Sequence, residues 1–600
     1  MENFIASSLK GLYTTSLPST RTGLFFNTFS YPTKISPETI AVYIAVHTKP
    51  GDIVLDVFGG SGSTGIAALM CEHPTIAMRA MAEKLNLNPT WGARNAIVYE
   101  IGKYGAFASS VMADPPEKKL FSQTAKKLLK DTEQELQDIY GTIDPDGNRG
   151  KLRHVICSDV VFCPECNQEF TYYEGMVRHD PLSIDGNGVC PHCGHFDKAA
   201  SFNHVTQNFY DALLNQTIIR RKRLPVRIYG QTGSAKWIRE ADRNDVEIFE
   251  KSELADYPSN ADALKIEWGE LFRAGYHTGI THLHHFYTKR NYTVMHRLWE
   301  KSSRYSSQIG NAIRLLLLSY NASHATLMTR VVVKRNSKDF VLTGAQSGVL
   351  YVSSLPVEKN IFTGIARKLR HFEEAFDYLN NCSGRMEVYN TSSQRLTQKD
   401  CSVDYVFTDP PFGDFIPYAE VNQINELWLG EITDRKIEII ISQSQNKTVD
   451  TYRHMMAEVF SEMRRVLKDD ANATVVFHSS KAAVWNALCV AYSDAGFSVE
   501  AAASLEKAQA SFKQVVSDGS VQGDPLILLS KGSCAKSDNS PNSSIAVLDE
   551  AIADETSDSE WSERRIYAGY IGRCLKRGIA VEYDAKAAYS YIAKRAGAVT

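Results

Sequence analysis

The chain has 600 residues, a formal net charge of −3 at pH 7, 43% hydrophobic and 22% charged residues. That content supports a large core divided over roughly three or four domains, and it excludes a disordered or fibrous chain. A near-neutral balance neither favours nor excludes a polyanionic partner, so any basic face has to be local.

The N-terminal MENFIASSLKGLY lacks an apolar core of signal-peptide length, and the most apolar run, residues 313–320, is too short to span a bilayer. Eleven cysteines, four of them in two tight pairs, do not form a disulfide framework in so long a chain. The expectation is a reduced, cytoplasmic protein without a membrane segment.

In chain order, residues 27–52 read as a Pro-bounded loop with Lys34 and then an amphipathic helix, ISPETIAVYIAVHT. Lys34 is placed to reach a ligand carboxylate. IVLDV (53–57) reads as a buried strand, FGGSGSTG (58–65) as a tight loop and IAALM as the start of a helix. Gly60, Gly62 and Gly65 satisfy G-x-G-x-x-G, a spacing that lets backbone approach a ligand at a strand's carboxyl end. No Lys-Ser/Thr follows, which excludes a P-loop. A dinucleotide site wants an acid at the end of the next strand; that strand is AIVYE (96–100), ending in Glu100 after a long crossover.

A charged helical stretch (117–141) precedes two Cys-x-x-Cys knuckles, Cys163/Cys166 and Cys190/Cys193, with 23 residues between them. Four thiolates at this spacing suit a closed, structural zinc ribbon. Arg220, Arg221, Lys222, Arg223 and Arg227 form a basic cluster beside Tyr229, suited to phosphate contacts. His277, His282, His284 and His285 follow at no recognisable ligand spacing and read as hydrogen-bonded or surface histidines.

MEVYN (386–390) and VDYVFT (403–408) are the next strands, and the second runs into Asp409-Pro410-Pro411-Phe412. The prolines forbid both ladder and helix, leaving a rigid acid–aromatic pair. A helix at 452–467, ATVVF (473–477), a helix at 482–496, GFSVEAAA (496–503) and DPLILLS (524–530) complete seven candidate strands. Residues 531–561, rich in Ser, Asp, Asn and Glu, read as a linker, and 562–597 as two helix-like stretches.

YPTK, LDVFGGSG and TDPPF together resemble the amino-group DNA methyltransferases that use S-adenosylmethionine. With the embedded cysteine knuckles and the FYTKR segment (286–290), the chain resembles a prokaryotic family of adenine-specific DNA methylases carrying a zinc ribbon. The resemblance covers most of residues 20–530 and departs from the family at Phe412, which lacks the hydroxyl of a tyrosine there but keeps the stacking surface, and in the long crossover at 70–95.

It implies an α/β, Rossmann-like methyltransferase fold: a seven-stranded, doubly wound sheet with a large insertion. Residues 20–110 and 360–531 would form the core, 111–360 the insertion with the ribbon at about 155–200, 532–561 a linker and 562–600 a small helical segment. Carried over, Asp56, Phe58, Gly60, Gly62, Glu100 and Lys34 would bind S-adenosylmethionine, and Asp409, Pro410, Pro411 and Phe412 would form the catalytic loop. Phe412 would offer its ring face to a flipped base. The implied reaction is methylation of adenine N6 in DNA within a restriction or phage-defence setting. The alternatives are cytosine N4, an RNA base, or a module that binds nucleic acid without turnover.

Overall fold

The computed structural model describes residues 12–13, 18–19, 23–335, 337–507, 524–532, 543–555 and 562–596. It divides into two compact units: residues 1–115, 374–422 and 429–600, and residues 116–373 with 423–428. The expected borders at 110/111 and 360 therefore move to 115/116 and 373/374. Among the described residues no helix is long and apolar enough to cross a membrane.

The first unit is built on seven strands: β1 (Ile53–Asp56), β2 (Asn95–Tyr99), β3 (Met386–Tyr389), β4 (Val403–Thr408), β5 (Leu467–Val476), β6 (Phe497–Lys507) and β7 (Asp524–Lys531). Their order in the sheet is 3-2-1-4-5-7-6, with Pro18–Ser19 adding a short parallel edge to β6. Strands β1 to β5 are parallel, and β7 runs antiparallel between β5 and β6. The order reverses between β1 and β4, the switch point where doubly wound sheets open a crevice. All seven expected strands are present.

Helix α1 (Pro37–His47) starts with Pro at its first turn, where no intrahelical N–H is needed. It is buried on nearly every side from Pro37 to Ala45, so the expected amphipathic surface helix is a core helix. Helix α2 (Ser63–Met70) is wholly buried and begins at Gly62, whose φ of 75° makes the left-handed turn that glycine adopts without strain.

α3 (Lys103–Ala113) follows β2. α4 (Val449–Val466) and α5 (Ala482–Asp494) pack their apolar faces on β4 and β5 in one cluster. Three more helices, α6 (Ser544–Glu555), α7 (Glu563–Arg577) and α8 (Ala585–Ala596), extend that cluster through Leu548, Ile571 and Ile592. The linker reading is corrected here: Val547, Leu548, Ala551 and Ile552 place an apolar stripe at helical spacing inside a polar stretch, and it buries. The rest of the expected linker lies outside the described residues.

The second unit is organised by one long strand, Arg149–Phe162. It pairs antiparallel with Arg223–Thr232, Val357–Lys359, Gly141–Ile143, Glu169–Thr171 and Asn203–His204. A separate hairpin joins Thr206–Asp211 to Gln216–Arg221. The FYTKR segment opens the helix Lys289–Ser302, and Thr288 caps it by accepting from the Asn291 N–H at 3.3 Å.

Arg94 is fully buried in the first unit and has no ion-paired carboxylate among the described residues. Its guanidinium donates to Thr48 Oγ1 (3.1 Å), the Thr48 carbonyl (2.8 Å), the Gly92 carbonyl (2.7 Å) and the Thr90 carbonyl. It thereby ties the end of α1 to the approach of β2. Arg94→Met would strand these buried acceptors, so we expect it to lower unfolding free energy by about 2–4 kcal/mol. A shift of the first urea transition to lower concentration checks this.

Candidate active site

The carboxyl ends of β1, β2 and β4 open onto a cleft of about 890 Å³ in the first unit. Its lining includes Lys34, Asp56, Phe58, Gly60, Glu100, Asp409 and Pro411. The glycine loop and the DPPF loop, expected from widely separated stretches, thus meet in one cavity. Gly62 stands just behind the wall, where it turns the chain into α2.

The glycine loop is held by its own backbone and by Glu100. Gly59 N–H donates to the Tyr99 carbonyl at 2.8 Å, and Gly62 N–H to the Gly59 carbonyl at 2.7 Å. The Glu100 carboxylate accepts from Gly60 N–H (2.6 Å) through one oxygen and from Gly102 N–H (2.5 Å) through the other. The same carboxylate lines the cleft beside the glycine loop.

Asp56 is buried and clasps two strands: its Oδ1 accepts from Phe58 N–H (3.0 Å) and from Thr408 Oγ1 (2.7 Å). Burial holds its pKa above the usual aspartate range against the hydrogen bonds from Thr64, Thr408 and Phe58. The Lys34 ammonium donates to the carbonyls of Phe25 (2.8 Å) and Phe29 (3.3 Å) and lies 4.0 Å from the Phe29 ring centre. It therefore serves first to fold the loop before α1.

In the Asp409–Phe412 loop, Asp409 is half-buried at the cavity wall. The Pro411 carbonyl accepts from Tyr452 Oη at 2.7 Å, and Gly413, at φ 68°, turns the chain away. Phe412 corrects the expectation of an exposed stacking face. It is only 4% exposed and sits with its edge against Phe477 (ring centres 5.6 Å apart, 84°) and beside Phe415 and His478. A phenyl ring without a hydroxyl has no polar tip to keep wet, so the core takes it.

Several lining residues lie outside the expected set of site residues. Tyr31 stacks between Tyr104 and Tyr418, each 6.3 Å away, and Tyr418 Oη is 2.8 Å from Thr33 Oγ1. Glu438 is buried and accepts from Ala419 N–H (2.9 Å) and Gln445 Nε2 (2.7 Å). Four acids, Asp56, Glu100, Asp409 and Glu438, thus line the cavity together with Lys34.

In the second unit the four cysteine sulfurs converge within 4.8 Å of one another. Cys163 and Cys193 Sγ are 3.7 Å apart, as are Cys166 and Cys190 Sγ, too far for disulfides. A zinc ion with 2.3 Å bonds would set sulfurs about 3.8 Å apart, so the donor set and spacing fit that metal. The knuckles match each other: Asn167 N–H donates to the Cys163 carbonyl and Gly194 N–H to the Cys190 carbonyl, and both residues have positive φ.

The basic cluster is corrected. Arg221 and Arg223 pair with the buried Asp159 at 2.8 and 2.6 Å, and Arg220 with Glu253 at 2.8 Å. Lys222 pairs with Glu169 (2.8 Å) and Arg227 with Glu240 (2.6 Å). These cations neutralise the unit's own acids instead of forming a free phosphate-binding face.

Asp211 gathers His284 and His285, whose Nε2 atoms lie 2.9 and 2.7 Å from its Oδ2. His285 Nδ1 accepts from Thr281 N–H at 3.1 Å, so its Nε2 carries the proton and donates to Asp211. His277 Nδ1 likewise accepts from Arg273 N–H, and its Nε2 reaches the Leu350 carbonyl at 2.7 Å. This agrees with the hydrogen-bonded reading of these histidines.

Residues 11–88, which span α1, β1, the glycine loop and α2, match the family model N6_N4_Mtase, described as a DNA methylase. That part of the chain is similar to the DNA methylases. Comparison with curated proteins gives no match. Among solved structures, that of the antibiotic-resistance methyltransferase Kmr is similar at 14% identity over 25% of this chain, with a TM-score of 0.14. The chain spans 63% of that protein's length.

Helix α3 supports the glycine loop from behind. A Cβ at Gly105 would stand 2.4 Å from the Gly60 carbonyl oxygen, so Gly105→Ala must displace the loop. We expect on the order of tenfold weaker binding of S-adenosylmethionine with the fold retained. Titration calorimetry with circular dichroism checks both.

Proposed function

We propose that this chain is an S-adenosylmethionine-dependent DNA methyltransferase acting on an exocyclic amine, N6 of adenine. The observation that carries the reading is the meeting of the glycine loop and Asp409 in one acid-lined cleft at the sheet's switch point. The family-model match over residues 11–88 supports the amino-methylase class. That model's name embraces cytosine N4 equally, which makes cytosine the second reading.

Asp56, Phe58, Gly60 and Glu100 would hold the cofactor, whose sulfonium supplies an electrophilic methyl group when bound. The glycine loop lets backbone come close, and Glu100, on the cleft wall, would accept from a ribose hydroxyl. The exocyclic amine is a weak nucleophile because its lone pair is delocalised into the ring. The Asp409 carboxylate and the Pro410 carbonyl would accept its two N–H bonds and draw the nitrogen toward tetrahedral geometry. Asp409 is then also the acceptor for the proton that the methylated amine must lose.

Pro410 and Pro411, with Tyr452 on the Pro411 carbonyl, fix these acceptors before the base arrives, so little orientation remains to be lost. Phe412 serves as a wall of this loop. The four cysteines would hold a structural zinc that fixes the ribbon and leaves no open coordination position.

Asp409→Ala is expected to lower methyl transfer by about a hundredfold or more while leaving cofactor affinity nearly intact. Transfer from labelled S-adenosylmethionine to duplex DNA and to RNA, with nucleosides identified by mass spectrometry, tests this. N6-methyladenine in DNA is the expected product; N4-methylcytosine would select the second reading, and an undiminished Asp409→Ala enzyme would sink the amine-acceptor role. Elemental analysis should find about one zinc per chain, lost in Cys163→Ser together with the ribbon's protection from proteolysis. Metal-free, protease-resistant protein would refute the zinc.

A further inference from the structure

The helix Lys118–Glu135 in the second unit carries its charges against its own stability. A helix favours acids near its N-terminus and bases near its C-terminus. Here residues 118–130 hold Lys118, Lys119, Lys126, Lys127 and Lys130 and no acid, while Asp131, Glu133 and Glu135 crowd the last turn. Only the capping residue Glu117, which accepts from the Lys119 and Leu120 N–H groups at 2.7 Å, has the favourable sign.

The acidic end is explained within the unit: Glu133 pairs with Lys151, and Glu135 with Arg297 and Lys301. The basic end is not. Lys126 shares Glu373 at 3.4 Å, but Lys119, Lys127 and Lys130 have no ion pair among the described residues.

All four of these lysines are exposed, as is Gln123 among them. At 100° per residue, Lys119, Lys126 and Lys130 fall within about 40° of one another, with Gln123 and Lys127 beside them. The opposite face, Phe121, Ala125, Leu128 and Leu129, is buried. The result is one rigid stripe of positive charge about 16 Å long, at 1.5 Å per residue. The densest basic run of the unit, by contrast, is paired with acids at Arg220, Arg221 and Arg223.

We propose that the exposed face of Lys118–Glu135 is a duplex-DNA phosphate contact, with Lys119, Lys126, Lys127 and Lys130 facing the backbone and Gln123 donating among them. This rests on the DNA reading above. Ammonium groups spaced along a helix make sequence-independent contacts that release counterions, so the signature is salt dependence.

The test measures the affinity of the full chain for a fluorescent duplex by anisotropy between 50 and 300 mM salt, on the order of the range where such slopes are read. K119Q/K127Q/K130Q is expected to bind about tenfold more weakly near physiological salt and to lose about 0.9 from the slope of log K against log salt for each contact removed. K222Q, whose lysine is paired with Glu169, should leave the slope unchanged. Circular dichroism checks that the helix is retained in the triple variant.

An unchanged slope in the triple variant overturns the proposal. So does a triple variant that loses duplex RNA affinity while keeping DNA affinity. If wild type methylates DNA and the triple variant's slope does not move, this surface fails alone. If wild type neither binds nor methylates DNA, the functional reading falls with it.

Discussion

The parallel pairing of β1 with β4 is the constraint on which the site depends. The two strands lie some 350 residues apart in sequence, yet Val54 and Leu55 stand opposite Tyr405 and Val406. Side chains clasp the pair at both ends. At the start, Ile53 N–H donates to Asp404 Oδ2 at 3.0 Å; at the finish, Thr408 Oγ1 donates to Asp56 Oδ1 at 2.7 Å. The second bond joins the last residue before the glycine loop's Val57-Phe58 to the last residue before Asp409. Each loop leaves its strand from a fixed point, and both points are set by one carboxylate and one hydroxyl. The entropy of closing so long a loop grows only with the logarithm of its length, so a large inserted unit adds little to the cost of this pairing.

Electrostatics then shapes what the cleft can hold. A cavity walled by Asp56, Glu100, Asp409 and Glu438 would be costly if those acids met nothing but one another. Asp56 and Glu100 are stabilised by backbone N–H groups and hydroxyls, and Glu438 by an N–H and an amide. These neutral donors keep the carboxylates in place without cancelling their charge. The cleft wall therefore presents these four acids together with the Lys34 ammonium to a ligand that enters it.

Much of this was legible because its signals are local and backbone-driven. Glycines at positive φ after a buried strand, prolines ending another, and paired Cys-x-x-Cys knuckles each fix a conformation over a few residues. What was not legible depends on partners far away in sequence. The fate of Arg221 and Arg223 rests on Asp159, an acid inside the apolar strand HVICSDVVF, and no property of the run RRKR announces it. Phe412 reads as a loop residue, and its burial follows from Phe477 and His478 beyond the next helix. Glu438 has no motif at all. The helix Ser544–Glu555 was hidden by the average polarity of its surroundings; its apolar residues at 547, 548, 551 and 552 were the signal.

Charge density in the sequence is thus a poor guide to charge at the surface. The densest basic run is consumed by buried acids, where a guanidinium fork can satisfy several acceptors at once, and arginine suits that task. The lysines of Lys118–Glu135 are compact, strongly hydrated charges on flexible stems, which favour water or a diffuse anionic partner over a buried carboxylate. The division of the two residue types between interior and exterior follows from that difference. Arginines at 220, 221 and 223 knit strands of the second unit to their acids, and lysines at 119, 127 and 130 stay outside, Lys119 even in the first turn, where the helix dipole favours an acid.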